Sequence, residues 1–180
     1  VEPGAQLGLK AGIVADQLRR LVPRERVQAG ASGRADRYRR RARMHYARDP
    51  QSGDFVLGFH RPRSHEILDA TRCPVLVPVL DAALQRLREV SEHLPQEGEV
   101  LGLTDGQVVV LGLPGVRPQP ETVEALMSLV DERLVGIELR GGRQAATIGA
   151  TVLEVDRVAG LPPMLASPFV FTQAHAAVNL

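Results

Sequence analysis

Basic and apolar residues alternate along residues 38–46 with the two-residue period of a β-strand. One face of this predicted strand is basic and holds Arg39, Arg41, Arg43 and His45. The opposite face is apolar apart from Arg40 and holds Tyr38, Ala42, Met44 and Tyr46. Such a strand can pack on a core and present guanidinium groups to phosphates, which arginine binds through parallel hydrogen bonds. A charged edge strand that resists aggregation has the same pattern, so this window alone favours neither interpretation.

The remaining hydrophobic patterns predict a strand-rich chain with three complete helices. Apolar residues recur at helical spacing over residues 5–22, 79–93 and 121–132. Runs typical of strands occupy residues 55–60, 66–70, 100–103, 108–113, 136–139, 146–155 and 165–172. Asp105-Gly106 predicts a type I′ turn in a hairpin, and a further helix is predicted to begin near residue 174. These elements and their short connections favour an α+β fold with an antiparallel sheet.

The charge of the chain is strongly segregated, although its net value is only +1. Residues 19–72 hold fourteen arginines against six acidic residues, whereas residues 73–180 hold seven arginines against thirteen acidic residues. This asymmetry predicts one region that faces a polyanion and one that is structural. With 180 residues, of which 44% are hydrophobic, the chain can bury the core of one domain, alone or with an extension.

Few catalytic or compartment signals are present. Cys73 is the only cysteine, so an intrachain disulfide is impossible and a cytoplasmic location is favoured. No apolar run approaches the length of a membrane span. The chain contains no HExxH, CxxC, Walker or GxSxG motif. His60 and His65 flank an Arg-Pro-Arg-Ser turn, where a surface role is favoured over metal binding.

Four local patterns, taken in order, resemble the RNA uracil-5-methyltransferases. They are Gln6-Leu7 with Lys10, the arginine-rich stretch 38–43, residues 57–76 from Leu57-Gly58-Phe59 to Cys73-Pro74-Val75-Leu76, and Ser167-Pro168 with Phe171, Gln173 and Asn179. The third pattern contains Ser64-His65-Glu66-Ile67-Leu68-Asp69. The family motif usually has Asn where His175 stands, which leaves local capping at that junction open. Together the patterns span almost the whole chain.

The resemblance implies an enzyme that methylates uridine in RNA with S-adenosylmethionine, with 23S ribosomal RNA favoured over transfer RNA. Residues 1–160 would belong to the central RNA-binding domain, and residues 161–180 would begin a C-terminal Rossmann-like methyltransferase domain. The catalytic cysteine, the general-base glutamate and the glycine-rich cofactor loop of the family lie in that last domain. We therefore expect a truncated chain that is inactive as an isolated methyltransferase, and a monomer is favoured.

The resemblance also implies roles for individual residues. Cys73 matches the fourth ligand of the [4Fe–4S] cluster of many members, with the other three ligands before Val1. The alternative is a vestigial cysteine in a turn. Gln173 matches the glutamine that binds S-adenosylmethionine, and Phe171 lies two residues before it on the same strand face. The alternative is that both residues only pack the junction between that strand and the next helix. The expected RNA contacts are Arg39, Arg41, Arg43, Arg61 and Arg63.

Two other classes of protein remain open at this stage. A non-catalytic RNA-binding module would fold alone and bind RNA with an affinity that falls steeply with salt, because phosphate contacts release counterions. An iron–sulfur redox protein would need cysteines outside these 180 residues, since one thiolate cannot hold a cluster that takes four.

Overall fold

The computed structural model describes residues 2–28, 30, 35–156 and 159–172. Within these ranges there are two compact units, residues 1–35 and residues 36–180. The first unit contains helix α1, Pro3–Leu18, and a short 3₁₀ helix, Arg24–Arg26. The helix predicted over residues 5–22 is therefore confirmed, but it ends at Leu18. No helix in the described part of the chain is long and apolar enough to cross a membrane.

A seven-stranded sheet is the centre of the second unit. Its strands are β1 Arg41–Arg48, β2 Phe55–His60, β3 Ile67–Asp69, β4 Glu97–Thr104, β5 Val109–Pro114, β6 Leu134–Gly141 and β7 Gln144–Gly149. Their spatial order is β3-β2-β1-β4-β5-β6-β7. All neighbours are antiparallel except β5 and β6, which are parallel. The predicted α+β fold is confirmed, and the predicted antiparallel sheet is confirmed except for the parallel pair of β5 and β6.

Two helices connect strands of this sheet along the chain. Helix α2, Pro78–Gln85, continues into a 3₁₀ helix, Arg86–His93, so the single helix predicted over residues 79–93 changes its winding midway. Helix α3, Pro120–Met127, connects β5 to β6. A parallel pair needs a long crossover of this kind, whereas an antiparallel pair can be joined by a tight turn. The segment 121–132 predicted as a helix is helical only through Met127.

The main core lies between α2, α3 and one face of the sheet. The fully buried side chains on the sheet side include Met44, Tyr46, Leu57, Val100, Leu111, Leu113, Ile137 and Leu139, and the helices contribute Leu80, Leu84 and Leu126. Gly102 allows β4 to approach α2, because a Cβ atom on Gly102 would lie 2.6 Å from Cδ1 of Leu80. The burial of Ala42, Met44 and Tyr46 confirms the predicted apolar face of β1.

A second, two-stranded sheet contains β8, Leu153–Asp156, and β9, Met164–Ala166. Its buried residues Leu153, Val155 and Ala166 pack with Leu103 and Val110 of the large sheet. The single strand predicted over residues 146–155 is wrong, because β7 ends at Gly149, whose φ is +68°, and β8 begins only at Leu153. The predicted strand 165–172 ends at Ala166, and the N–H of Val170 donates to the carbonyl of Ser167 in a turn.

The hairpin between β4 and β5 is confirmed, but its type I′ turn is wrong. Only Gly106 has a positive φ there, +110°, whereas a type I′ turn also requires a positive φ at the preceding residue. Thr104 pairs with Val109, which leaves a four-residue loop. The carboxylate of Asp105 accepts hydrogen bonds from the N–H groups of Gln107 and Val108 and thereby supports this longer loop.

The Tyr46 hydroxyl is buried and has no hydrogen-bond partner among the described residues. Burial raises the pKa of Tyr46 to about 12. Its ring stacks on Phe55, with centroids 5.5 Å apart. We expect Tyr46→Phe to leave the free energy of unfolding unchanged or to raise it by about 1 kcal/mol, because the ring is retained and an unsatisfied polar group is removed. Urea denaturation measures this difference.

Gly98→Ala is the matched control for this prediction. Gly98 pairs with Tyr46 across β1 and β4, and a Cβ atom there would collide with the tyrosine hydroxyl. This variant should therefore lower the free energy of unfolding. A decrease of more than about 1 kcal/mol in Tyr46→Phe would instead show that the hydroxyl has a stabilising partner.

Candidate nucleic-acid interface

Strand β1 is an internal strand of the large sheet, since it pairs with β2 on one side and β4 on the other. The interpretation of residues 38–46 as a charged edge strand is therefore wrong. On the face opposite the main core, Arg43 is exposed, and Arg41 and His45 are partly exposed. The predicted basic face is confirmed for these three residues, but the structure gives their side chains different partners.

Arg43 forms a bifurcated ion pair with Glu99 of β4, in which one guanidinium nitrogen contacts both carboxylate oxygens. Its Nη2 atom lies 2.5 Å from Oε1 and 2.7 Å from Oε2 of Glu99. The Arg43 side chain remains 63% exposed in this pair. The guanidinium is therefore accessible to an external anion, but a carboxylate already occupies it.

Arg41 holds the segment that follows β9. It donates hydrogen bonds to the carbonyls of Pro168, at 3.0 Å, and Val170. The guanidinium of Arg140 stacks over the ring of Phe169 in the same segment, 4.0 Å from its centroid. Gly112 leaves room for that ring, since a Cβ atom there would lie 2.8 Å from it. Arg41 thus has a structural role that the pattern of the sequence did not indicate.

The two arginines before β1 also have structural contacts. The backbone of Arg39 bridges to Leu76, and its side chain is partly buried. Arg40 donates to the carbonyl of Val155 at 2.7 Å and to the carboxylate of Asp156 at 2.6 Å. This ion pair is largely buried, because the side chains of Arg40 and Asp156 are 13% and 11% exposed.

Arg61 and Arg63 lie in the turn after β2. The Nε atom of Arg61 donates to Oε1 of Glu66 at 2.8 Å, and both side chains are more than half exposed. Arg63 is exposed and has a left-handed backbone, with a φ of +60°. This turn therefore adds a second exposed group of cations near the end of β2.

Three histidines meet beside these cations. The ring centroids of His45 and His60 are 4.0 Å apart, and those of His60 and His65 are 6.1 Å apart. They line a cleft of about 660 Å³ together with Glu97 and Glu99. Sequence reasoning singled out His60 and His65 but missed the contact of His60 with His45. The register of the predicted hairpin was the available signal, since His45 pairs with Gly58, two residues before His60.

The electrostatic surroundings of His45 are mixed. Burial lowers its pKa, the neighbouring His60 and Arg43 lower it further, and Glu99 partly opposes them. The Nδ1 atom of His45 lies 3.6 Å from Oε1 of Glu99. The lowered pKa makes the neutral imidazole the main form near pH 7. Within the described ranges, no group of three or more His, Cys, Asp or Glu residues has the geometry to hold a metal ion.

Cys73 is partly buried and packs against the main core. Its N–H donates to the carboxylate of Asp81 at 3.1 Å. Burial raises the pKa of Asp81, and the Cys73 N–H and Arg72 partly oppose this change. The chain supplies a single thiol, whereas a [4Fe–4S] cluster takes four. The residues present here therefore do not form a cluster site by themselves.

The two predicted cofactor-binding residues differ in what the structure describes. Phe171 is 78% exposed and lies beyond β9, so its predicted position on a strand is wrong. Gln173 lies outside the described residues. Their contact with S-adenosylmethionine stays a prediction.

Comparison with known proteins gives relatives of one kind. The chain is 30% identical over 190 residues to the 23S rRNA (uracil(1939)-C(5))-methyltransferase RlmD of Thiobacillus denitrificans, an alignment that covers 99% of the chain and 44% of the relative. It is 36% identical to the enzyme of the same name from Cronobacter sakazakii, over 59% of the chain and 26% of the relative. This chain belongs to the RNA uracil-5-methyltransferase family. No protein-family model matches it.

A solved structure shares the fold of this RNA uracil-5-methyltransferase family member. It is the Pyrococcus abyssi tRNA (uracil-54, C5)-methyltransferase in complex with S-adenosyl-L-homocysteine, with a TM-score of 0.68 and 17% identity. The match covers 99% of this chain and 47% of that structure. The chain thus spans less than half the length of the relatives described here. At this identity the likeness concerns the fold alone.

Proposed function

We propose that this chain is the RNA-binding part of an S-adenosylmethionine-dependent RNA (uracil-5-)-methyltransferase that acts on 23S ribosomal RNA. The observation that carries this proposal is the alignment of almost the entire chain with a relative named as a 23S rRNA uracil methyltransferase. The exposed cations beside β1 and β2 supply the charge that an RNA backbone requires. We place the enzyme in the cytoplasm and favour a monomer.

We assign the phosphate contacts to Arg43, Arg61 and Arg63, and also to Arg39, which lies just before β1. These guanidiniums bind two phosphate oxygens at once where geometry allows, and so orient the RNA without reading its sequence. Arg41 adds positive charge, but its hydrogen bonds to Pro168 and Val170 give it a positioning role. It holds the segment that runs towards residue 173.

The methyl-transfer chemistry belongs to a domain beyond the RNA-binding region. By resemblance, residues 1–160 are the central domain and residues 161–180 begin the methyltransferase domain. Phe171 and Gln173 would then contact S-adenosylmethionine, which supplies the methyl group. The family's catalytic thiolate adds to C6 of uracil, C5 accepts the methyl group, and loss of the C5 proton releases the enzyme. None of the catalytic groups is assigned to this chain, so it should be inactive alone.

Cys73 would be one ligand of a [4Fe–4S] cluster in the whole protein.

A methylation assay with the full-length protein tests this proposal. We expect transfer of a labelled methyl group from S-adenosylmethionine to C5 of one uridine in unmodified 23S ribosomal RNA. Arg43→Ala should raise the KM for RNA more than it lowers kcat, because a phosphate contact contributes to binding in the ground state. Detection of 5-methyluridine in nuclease digests identifies the product. Its absence with ribosomal RNA and its presence with transfer RNA would overturn the substrate assignment.

A non-catalytic RNA-binding module is the second candidate. Residues 36–172 contain a compact unit with its own core, and this favours RNA binding that does not depend on the rest of the protein. The two candidates differ in methyl transfer by the full-length protein. An intact RNA affinity with no 5-methyluridine in any RNA would favour the module.

A further inference from the structure

The cleft beside the arginine strand has the size and lining of a small-ligand site. Its volume of about 660 Å³ lies within the range of 300–1,000 Å³ that is usual for such sites. One wall carries the imidazoles of His45 and His60, whose ring planes are tilted by 39° to each other, and Glu97 and Glu99 lie on the neighbouring strand β4. The described lining residues thus combine aromatic surface with hydrogen-bond acceptors.

The charges of the cleft exclude a phosphate from its interior. Four carboxylates line it: Asp49, Glu66, Glu97 and Glu99. The Arg48 guanidinium, which also lines the cleft, donates to the carbonyl of Ser91. The exposed arginines that pair with Glu99 and Glu66, Arg43 and Arg61, lie at its margin. A neutral aromatic ring can therefore enter while its flanking phosphates stay outside, near these arginines.

We propose that this cleft binds a single unpaired RNA base, which stacks on His60 and directs its N–H groups to the carboxylate of Glu97. The inference rests on the proposed function and adds to it a subsite for a base. Unpaired bases in RNA commonly stack on aromatic side chains, including histidine, and hydrogen-bond through their exposed edges. His60 is exposed at the end of β2, so its ring is accessible to such a base.

The experiment compares two probes that share a backbone and differ in their bases. One is a fluorescently labelled, mixed-sequence single-stranded RNA of about 12 nucleotides, and the other is an abasic ribose-phosphate oligomer of the same length. Affinities are measured by fluorescence anisotropy with the full-length protein. We expect His60→Ala to weaken binding of the RNA by about 5- to 30-fold, the change for one lost base–aromatic stack, and to leave the abasic oligomer unaffected.

Two further variants separate stacking from other effects. His60→Phe keeps an aromatic ring and should restore most of the affinity for RNA. His93→Ala removes a partly exposed histidine at the end of the 3₁₀ helix, outside the cleft, and should change neither probe. Circular dichroism verifies that each variant is folded.

The outcomes distinguish this inference from the function on which it rests. Equal weakening of both probes by His60→Ala, or no effect on either, would overturn the base subsite and leave RNA binding intact. Loss of affinity in His60→Phe as large as in His60→Ala would also overturn it. If the unaltered protein binds neither probe, the proposed function fails together with the subsite.

Discussion

Replacement of Arg40 by alanine is expected to lower the free energy of unfolding by about 1.5–3 kcal/mol, the range for the loss of a hydrogen bond to a charged group. Arg40 pairs with Asp156 at 2.6 Å, and both side chains are nearly buried. Removal of the guanidinium takes away this ion pair, which lies largely out of water, and it also removes the donor to the carbonyl of Val155. Chemical denaturation followed by circular dichroism measures the loss.

Arg43→Ala is the matched control for Arg40→Ala. Arg43 also pairs with a carboxylate, at 2.5 Å, but its side chain is 63% exposed, so its loss should cost at most about 1 kcal/mol. A double variant, Arg40→Met with Asp156→Leu, should be more stable than Arg40→Ala, because apolar side chains of similar size replace both charges of the pair. Equal stability of the two single alanine variants would contradict a structural role for Arg40.

Glu99→Gln is expected to strengthen RNA binding by about fivefold, the equivalent of roughly 1 kcal/mol. In the free protein Glu99 occupies the Arg43 guanidinium through both of its oxygens, where a phosphate would otherwise bind. An exposed ion pair of this kind is weak, so an RNA phosphate can displace the carboxylate at a small cost. Removal of the negative charge abolishes that cost and the repulsion between carboxylate and phosphate.

Glu97→Gln is the control that removes the same charge from the same cleft. Glu97 is exposed and lies two residues before Glu99 on β4. Side chains two residues apart on a strand point to the same face of the sheet, so Glu97 and Glu99 share a face. Glu97→Gln should not strengthen binding as Glu99→Gln does, because it also removes the acceptor proposed for the base. Arg43→Ala should weaken binding and reduce the salt slope by about 0.7, the value for one single-strand phosphate contact. An equal gain in the two glutamine variants would contradict a specific competition at Arg43.

The structure also changes how the arginine strand should be tested. A triple alanine variant of Arg39, Arg41 and Arg43 follows directly from the sequence pattern. However, Arg41 holds Pro168 and Val170, and the Nε atom of Arg39 is buried. Loss of RNA affinity in that variant would combine lost phosphate contacts with a displaced C-terminal segment. Alanine variants of Arg43 and Arg63 test RNA binding more directly, because both side chains are exposed.

Local patterns predicted most of the elements of this fold. The alternation along residues 41–48 defines a buried and an exposed face, because successive side chains on a strand point to opposite sides. The turns at residues 49–54 and 105–108 also have local sequence signals, and each turn predicts the hairpin that it closes. Errors occurred where a glycine interrupted a plausible strand, as at Gly149, or where a helix changed its winding after Gln85.

The candidate site was only partly predictable for the same reason. Arg40 and Arg41 have partners 115 to 129 residues further along the chain, and no periodicity in residues 38–46 contains that information. The parallel pairing of β5 with β6 likewise depends on a crossover through α3. The contact of His45 with His60, by contrast, follows from the register of the predicted hairpin between β1 and β2.

By itself, the sequence determined that this protein has an α+β fold, a basic strand with one buried face, and a resemblance to RNA uracil-5-methyltransferases. These properties follow from side-chain order, which is local. Only the tertiary structure decided which arginines remain accessible. Arg40 and Arg41 have structural roles, because segments distant in sequence bring a carboxylate and carbonyl oxygens to their guanidinium groups. Arg43 stays at the surface beside a cleft lined by histidines.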